Sequence, residues 1–362
     1  YVMDGNQKWT ENKTFGDAND VGTSSTYAQN MVIVKVNGDL TIGSGVSVTP
    51  YYTEYGGPKG FALYVTGKLT NNGTIDNSHG ARATGQNVYL WKNADGTYEY
   101  VPAEGSSGGD AVKSGCDSCG VAGQSGLSAT GRETAGGGSG AATYRHSSGA
   151  GSAGTSYSGG TGGGGGHTSN GSPGLSNGQN GGSTSSSVSA GGGTGNPGGT
   201  VSKGTKGSNG TGGLLIIYAD KYDNNGNINV NGTQAAYDER VGGGSSGGGS
   251  LNIFTNQDTG IDQLGIITDT RYGEILGEAQ ALGGSANGSV PGGSGGAGTV
   301  NIGSIRNGQY YDLKEIIEQD KAAYRKSITL EGNSIIEILS KDNLKSGYWF
   351  MKVNDEEYAT HI

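Results

Sequence analysis

The strongest constraint on this chain is a run from about Gly105 to Gly213 in which glycine returns every third residue over short arcs. The arcs are Gly160, Gly163, Gly166; Gly192, Gly195, Gly198; and Gly204, Gly207, Gly210, Gly213. Three residues per turn is the period of the polyproline-II helix, which has no internal hydrogen bonds and must find partners elsewhere. Glycine on one edge of each turn lets backbones approach closely enough to bond across segments. Collagen is disfavoured, because the period is interrupted and 76 Gly stand against only 6 Pro. Two readings remain: a disordered low-complexity tether, or a folded bundle of polyglycine-II strands joined by turns where the period breaks. The flanking sequence decides between them.

From Met31 onward the texture is that of β-structure, and three segments align without gaps. Val32–Val46 matches Phe61–Ile75, and Phe61–Ile75 matches Leu214–Ile228. The apolar strand, a second apolar position (Leu40, Leu69, Tyr222) and a final aliphatic (Val46, Ile75, Ile228) fall in register. Asn71-Asn72-Gly73 and Asn224-Asn225-Gly226 occupy the same place, where a turn with positive φ is expected. Leu251–Phe254 and Thr299–Ile305 read as two degraded copies. One such unit cannot bury its apolar edge alone, whereas stacked copies can. The expected fold is therefore mainly β: a parallel β-solenoid with an aliphatic interior.

On this reading the glycine-rich run is an insertion that leaves the solenoid after His79 and returns at Gly213. Minor glycine-rich excursions span 232–250 and 283–298. Stacked repeats place such excursions on one face, which favours the folded bundle over the tether. Residues 1–30 read as an N-terminal cap or approach segment, and 31–305 as the solenoid, with 80–213 as its main polyglycine-II insertion. Residues 306–362 read as a small α/β C-terminal module, with a helix expected from Asp312 to Lys326. The chain opens on Tyr1 and ends at Ile362, which reads as a piece of a longer protein.

Composition narrows the function classes. Only 31% of the 362 residues are hydrophobic, too few for a conventional core over the whole length. A net charge of −9 argues against nucleic acid as a partner. No run of 18 apolar residues is present, so no membrane span is expected. Tyrosines number 20 against 4 Phe, so the rings are mainly amphipathic and suit recognition of sugars and proteins.

Several motifs bear on chemistry. Cys116-Asp-Ser-Cys119 has the spacing of a redox pair or half a zinc site. Zinc requires two further ligands, which His146 or His167 would have to supply across glycine-rich loops. A local disulfide or two inert thiols is the simpler reading, and no metal or cofactor is expected. The turn Asp223–Ile228 lacks the Gly and closing acid of a calcium loop. No repeated carboxylate cluster and no nucleophile elbow is evident, so the chain reads as a non-enzyme. An Asp95-Gly96 turn between alternating segments predicts a hairpin over 87–101. It puts Tyr89 with Trp91 on one face of their strand, and Tyr98 with Tyr100 on one face of theirs. Tyr144, Arg145, His146, Tyr157 and His167 interrupt the glycine arcs where loop tips belong. These residues and the hairpin aromatics are the candidate binding surface.

The combination of strand, Asn-Asn-Gly-Thr-Ile turn, long Gly/Ser/Thr-rich insertion and return on Gly-Gly-Leu-Leu-Ile-Ile-Tyr resembles glycine-rich tail-fibre and adhesin-like proteins of phages and Gram-positive bacteria. The glycine-rich part is similar to phage tip adhesins whose polyglycine-II sandwich presents variable loops to a host receptor. The resemblance implies an extracellular protein, on a virion tail fibre or a cell surface. It would bind host cell-surface polysaccharide or protein through loop tips, with trimeric assembly supplying avidity. A structural subunit of an extracellular filament is the alternative, and a polysaccharide-cleaving β-helix a third.

Overall fold

A computed structural model describes residues 1–23, 26, 28–53, 56–80, 88–92, 95, 97–102, 104–110, 112–115, 120–129, 133–143, 192, 212–232, 234, 237–238, 241–256, 279–280, 290–306, 308–312, 348–353 and 356–361. The first strands are β1 (Val2–Asp4), β2 (Gln7–Trp9), β3 (Lys13–Phe15), β4 (Met31–Asn37), β5 (Leu40–Ile42) and β6 (Ser47–Pro50). They are followed by β7 (Gly60–Asn71), β8 (Thr74–Asp76), β9 (Val88–Lys92) and β10 (Tyr98–Pro102). Four two-residue strands lie in the glycine-rich part: β11 (Glu104–Gly105), β12 (Gly120–Val121), β13 (Glu133–Thr134) and β14 (Ala142–Thr143). Then come β15 (Leu214–Asn224), β16 (Asn227–Asn229), β17 (Tyr237–Asp238), β18 (Val241–Gly242), β19 (Ser250–Asn256) and β20 (Ala279–Gln280). The last are β21 (Thr299–Arg306), β22 (Gln309–Asp312), β23 (Tyr348–Val353) and β24 (Glu356–His361).

Two sheets carry the fold. The larger, sheet A, runs β1-β4-β7-β15-β19-β21-β22, with β5 pairing β7 and β2 pairing β5. It is mixed: β21 and β22 are antiparallel, whereas its other pairs are parallel. The smaller, sheet B, runs β3-β6-β8-β16-β20 and is parallel throughout. Alternation decides which side chains enter the core. In β4, Val32, Val34 and Val36 are buried while Met31, Ile33 and Lys35 point out. Val34, Leu63, Ile217, Ile253 and Ile302 form one row across five strands of sheet A. Val48, Ile75 and Ile228 form a row on sheet B. Both rows belong to a single apolar cluster.

These observations correct the fold expected from sequence. Among the described residues there is no helix, no closed solenoid and no polyglycine-II helix; the architecture is two main sheets, one mixed and one parallel, with five two-stranded sheets besides. Most of the glycine arcs, and the helix expected to follow Asp312, lie outside the described residues. Asp312 itself ends β22, and the described remainder of 306–362 is all β, with β23 and β24 forming an antiparallel pair. The N-terminal segment adds β1 and β2 to one edge of sheet A and β3 to the edge of sheet B.

The described glycine-rich segments are tied to one another by backbone hydrogen bonds. Amides of Gly123, Gly126 and Ala129 donate to the carbonyls of Pro291, Ser294 and Ala297 at 2.7–2.8 Å. Those of Gly242, Ser245 and Gly248 donate to Val290, Gly293 and Gly296 at 2.9 Å. Backbone groups that no sheet ladder pairs are thereby satisfied, as buried polar groups must be.

Two local expectations also change. The gapless repeat placed Phe61 opposite Leu214; in the sheet Phe61 lies opposite Leu215 and Leu63 opposite Ile217. The shift is absorbed between Val65 and Lys68, where Thr66 and Gly67 together oppose Asp220. A bulge of this kind adds one residue to one strand. From Lys68 opposite Lys221 to Asn71 opposite Asn224 the gapless register holds. Gly73 and Gly226 are not among the glycines with positive φ. Close approach makes them glycines instead: a Cβ on Gly226 would meet the Gly73 carbonyl, and one on Gly73 the carbonyls of Val46 and Gly43. The stacked turns are bonded through side chains. Buried Asn71 donates to Asn224 Oδ1 at 2.8 Å and accepts from the Gly73 amide at 3.1 Å.

Candidate functional site

The outward residues of sheet A fall into rows because its strands are parallel and in register. One row is Lys35, Tyr64, Tyr218 and Phe254; the next is Ile33, Ala62, Ile216 and Asn252. The rings of Tyr64 and Tyr218 stack at 4.6 Å between centroids and 11° between planes. That separation is close to the ~4.8 Å distance between neighbouring strands, so the sheet itself sets the ring stack. Lys35 Nζ lies 5.8 Å from the centre of the Tyr64 ring, within cation–π range.

The row changes character along its length. Phe254 is buried and meets Tyr310 edge-to-face at 5.7 Å. The β9–β10 hairpin lies close to β19, β21 and β22. Over β4, β7 and β15 the face stays open: Ile33 is 54% exposed and Tyr64 40%. A shallow depression of about 330 Å³ lies there, lined by Ile33, Lys35, Ala62, Tyr64, Ile216 and Tyr218 among others. Burial raises the Tyr218 phenol above its ordinary value, helped by neighbouring Tyr64 and Asp220. It therefore stays a neutral hydroxyl, able to donate as well as accept.

The hairpin expected over 87–101 is present as β9 and β10, and Asp95 accepts from the Thr97 amide at 2.9 Å in the connection. Its register pairs Trp91 with Glu99 and Tyr89 with Val101, but Tyr98 with Lys92 and Tyr100 with Leu90. In this register neither Tyr89 nor Trp91 is paired with a tyrosine of β10. Tyr144, Arg145, His146, Tyr157, His167, Cys116 and Cys119 lie outside the described residues. Asp223 of the suspected calcium turn faces Lys68, with 3.4 Å between Oδ2 and Nζ. Among the described residues no group of His, Cys, Asp and Glu is placed to hold a metal ion.

Sequence reasoning missed Lys35, Tyr64 and Tyr218. The gapless repeat aligned Tyr64 with Ile217, one residue short of its true neighbour. A one-residue slip moves every side chain to the opposite face. The available signal was an aromatic in each of two successive strands, which coincide once a bulge is admitted.

A second feature lies in the connections near sheet B. His79 stacks on Tyr52 at 3.7 Å with 9° between the rings. Burial lowers the imidazole below its ordinary value, with the Asp76 carboxylate opposing. The folded chain therefore binds fewer protons than the unfolded chain just below the ordinary imidazole value of about 6.5. Stability in that window rises with pH. The stabilisation is present above the unfolded value and is lost as pH falls through the folded one. An NMR titration is expected to place the His79 midpoint below that of a solvent-exposed histidine. His79→Phe is expected to flatten the pH dependence of unfolding between about 6.5 and the folded midpoint. An ordinary midpoint would refute the burial argument.

Fold and face together define a class: a predominantly parallel two-sheet β-protein that leaves part of one sheet face open. Comparison with known proteins takes the assignment no further, since no family model, curated protein or solved structure matches the chain. Among the described residues no helix is long and apolar enough to cross a membrane.

Proposed function

We propose that this is an adhesive, receptor-binding surface protein, with a phage tail-fibre component as the leading form and host cell-surface glycan or protein as its target. The observation that carries the reading is the open row on sheet A, where stacked tyrosines, exposed aliphatics and one lysine share a face held by backbone ladders. Rigid amphipathic rings lose little entropy on contact and make effective recognition anchors. Recognition sites built on strands are also held more firmly than sites on loops. Binding without chemical turnover, outside the cell, follows from this reading.

The test is attachment of the purified chain to candidate host cells. Replacing Tyr64 and Tyr218 together by Ser is expected to reduce attachment at least about tenfold, the scale of a lost aromatic anchor. Retention of full attachment by a folded double variant would remove the sheet face from the proposal.

A structural filament subunit is the second reading, favoured by one observation. Strands β1 and β3 end their sheets with no further strand beside them among the described residues, and open edges invite pairing with another chain. Concentration-dependent growth of long particles in sedimentation and electron microscopy would select it.

A further inference from the structure

We infer that the groove formed by Ile33, Lys35, Ala62, Tyr64, Ile216 and Tyr218 is a subsite for a carboxylated sugar within a linear acidic polysaccharide. The inference rests on the recognition function proposed above and assigns its ligand chemistry. The groove crosses β4, β7 and β15, and each strand contributes one polar tip and one apolar floor residue. The tips are the Lys35 ammonium and the Tyr64 and Tyr218 hydroxyls; the floor is Ile33, Ala62 and Ile216. The residues that carry the tips recur at about 4.8 Å, the strand spacing, and the two ring centres lie 4.6 Å apart. A pyranose chain has matching character, with C–H faces for the floor and rim hydroxyls for the tips.

The alternatives fit less well. An extended peptide gains affinity by adding to a sheet edge. This face lies in the sheet interior, where the backbone groups of β7 are already shared with β4 and β15. Three of the four ring faces are also engaged, one pair against each other and the outer face of Tyr64 against Lys35. A ligand consequently meets mainly ring edges and hydroxyls.

Charge selects the acidic class. Lys35 is the one charged side chain lining the groove, and among the described residues it makes no ion pair. The Tyr64 and Tyr218 hydroxyls likewise have no hydrogen-bond partner among the described residues. Asp220, two residues beyond Tyr218, accepts from Asn256 Nδ2 at 2.8 Å and keeps its negative charge near Tyr218, so the favourable end of the groove for an anion is Lys35. A carboxylate over Lys35 completes the site with a charge-assisted bond. The chain as a whole carries −9, so attraction to a polyanion depends on this cation rather than on a general field.

The experiment is calorimetric titration of the full chain with an oligogalacturonate and with the same oligomer after reduction of its carboxyls. The acidic oligomer is expected to bind at least tenfold more tightly than the reduced one, and more weakly as salt is raised. Lys35→Met keeps the aliphatic stem and is expected to lower affinity for the acidic oligomer about tenfold. Tyr218→Phe, which removes only a hydroxyl, is expected to lower it a few-fold. Equal affinity for the two oligomers, an unaffected Lys35→Met variant, or no binding at all overturns the inference. The two readings fail separately. Cell attachment that depends on Tyr64 and Tyr218 without oligogalacturonate binding leaves recognition standing and removes the acidic sugar. Lys35-dependent binding of the oligomer without attachment to any cell leaves the subsite and removes the adhesive role.

Discussion

Gly293→Ala is expected to lower the stability of the folded chain by about 3 kcal/mol, at the upper end of overpacking costs. The Gly293 amide donates to the Ser139 carbonyl at 2.7 Å, and the Ser139 amide donates to the Gln124 carbonyl at 2.8 Å. A Cβ on Gly293 would be driven into that Gln124 carbonyl. The obstacle is backbone, already bonded on its other side, and it cannot swing aside as a flexible side chain would. Gly126 and Gly136 are caught in the same way, by the carbonyls of Gly136 and Ser107. The control is Gly115, which has nothing within 4 Å of its Cβ position. Gly115→Ala is expected to be neutral or to stabilise by about 0.5 kcal/mol through the unfolded state. Thermal and urea unfolding of the two variants checks the contrast. If Gly293→Ala unfolds like the parent chain, close backbone approach is not what demands glycine here.

The second large effect belongs to the apolar core. Phe61→Ala is expected to cost about 3–5 kcal/mol, the usual range for a fully buried ring. Phe61 is 0% exposed, lies opposite Val32 on one side and Leu215 on the other, and stacks on Phe15 at 6.4 Å. Its loss empties a space bounded by β3, β4, β7 and β15, so the strands to either side of the long insertion loosen together. Phe61→Leu, which refills most of the volume, is expected to recover more than half of the loss. Denaturant midpoints measure both. A small effect of Phe61→Ala would show that the two sheets are not held by this shared cluster.

A good part of this architecture was legible beforehand because it depends on short-range pattern. The β-branched run Val32-Ile33-Val34 with Val36 announces a strand at β4, but not its buried face, since Met31 and Ile33 on the outward side are as apolar as the valines. The Asp95-Gly96 turn between Leu90-Trp91 and Tyr98-Glu99 announced the hairpin. The jump from Ile75 to the next recognisable copy at Leu214 marked the glycine-rich stretch as an insertion between neighbouring strands. Local rules act over two to ten residues, and each of these features lies within that reach or repeats it.

What remained hidden depends on contacts made across more than a hundred residues. The bulge at Thr66-Gly67 shifts half of β7 by one place against β15, and no local signal measures that offset. With it goes the juxtaposition of Tyr64 and Tyr218, and therefore the candidate site. The reason Gly73 and Gly226 must be glycine is likewise a property of the stack, where one turn rests on the next, and not of either turn's own φ. The glycine period suggested a helical bundle, but the described segments form no polyglycine-II helix and are tied to one another by backbone hydrogen bonds. Period three says that a backbone seeks partners outside itself; only the tertiary structure decides which partners it meets. The sequence thus determined which residues alternate into strands and where the chain departs from them. The fold decided the register, and the register decides which side chains share the open face.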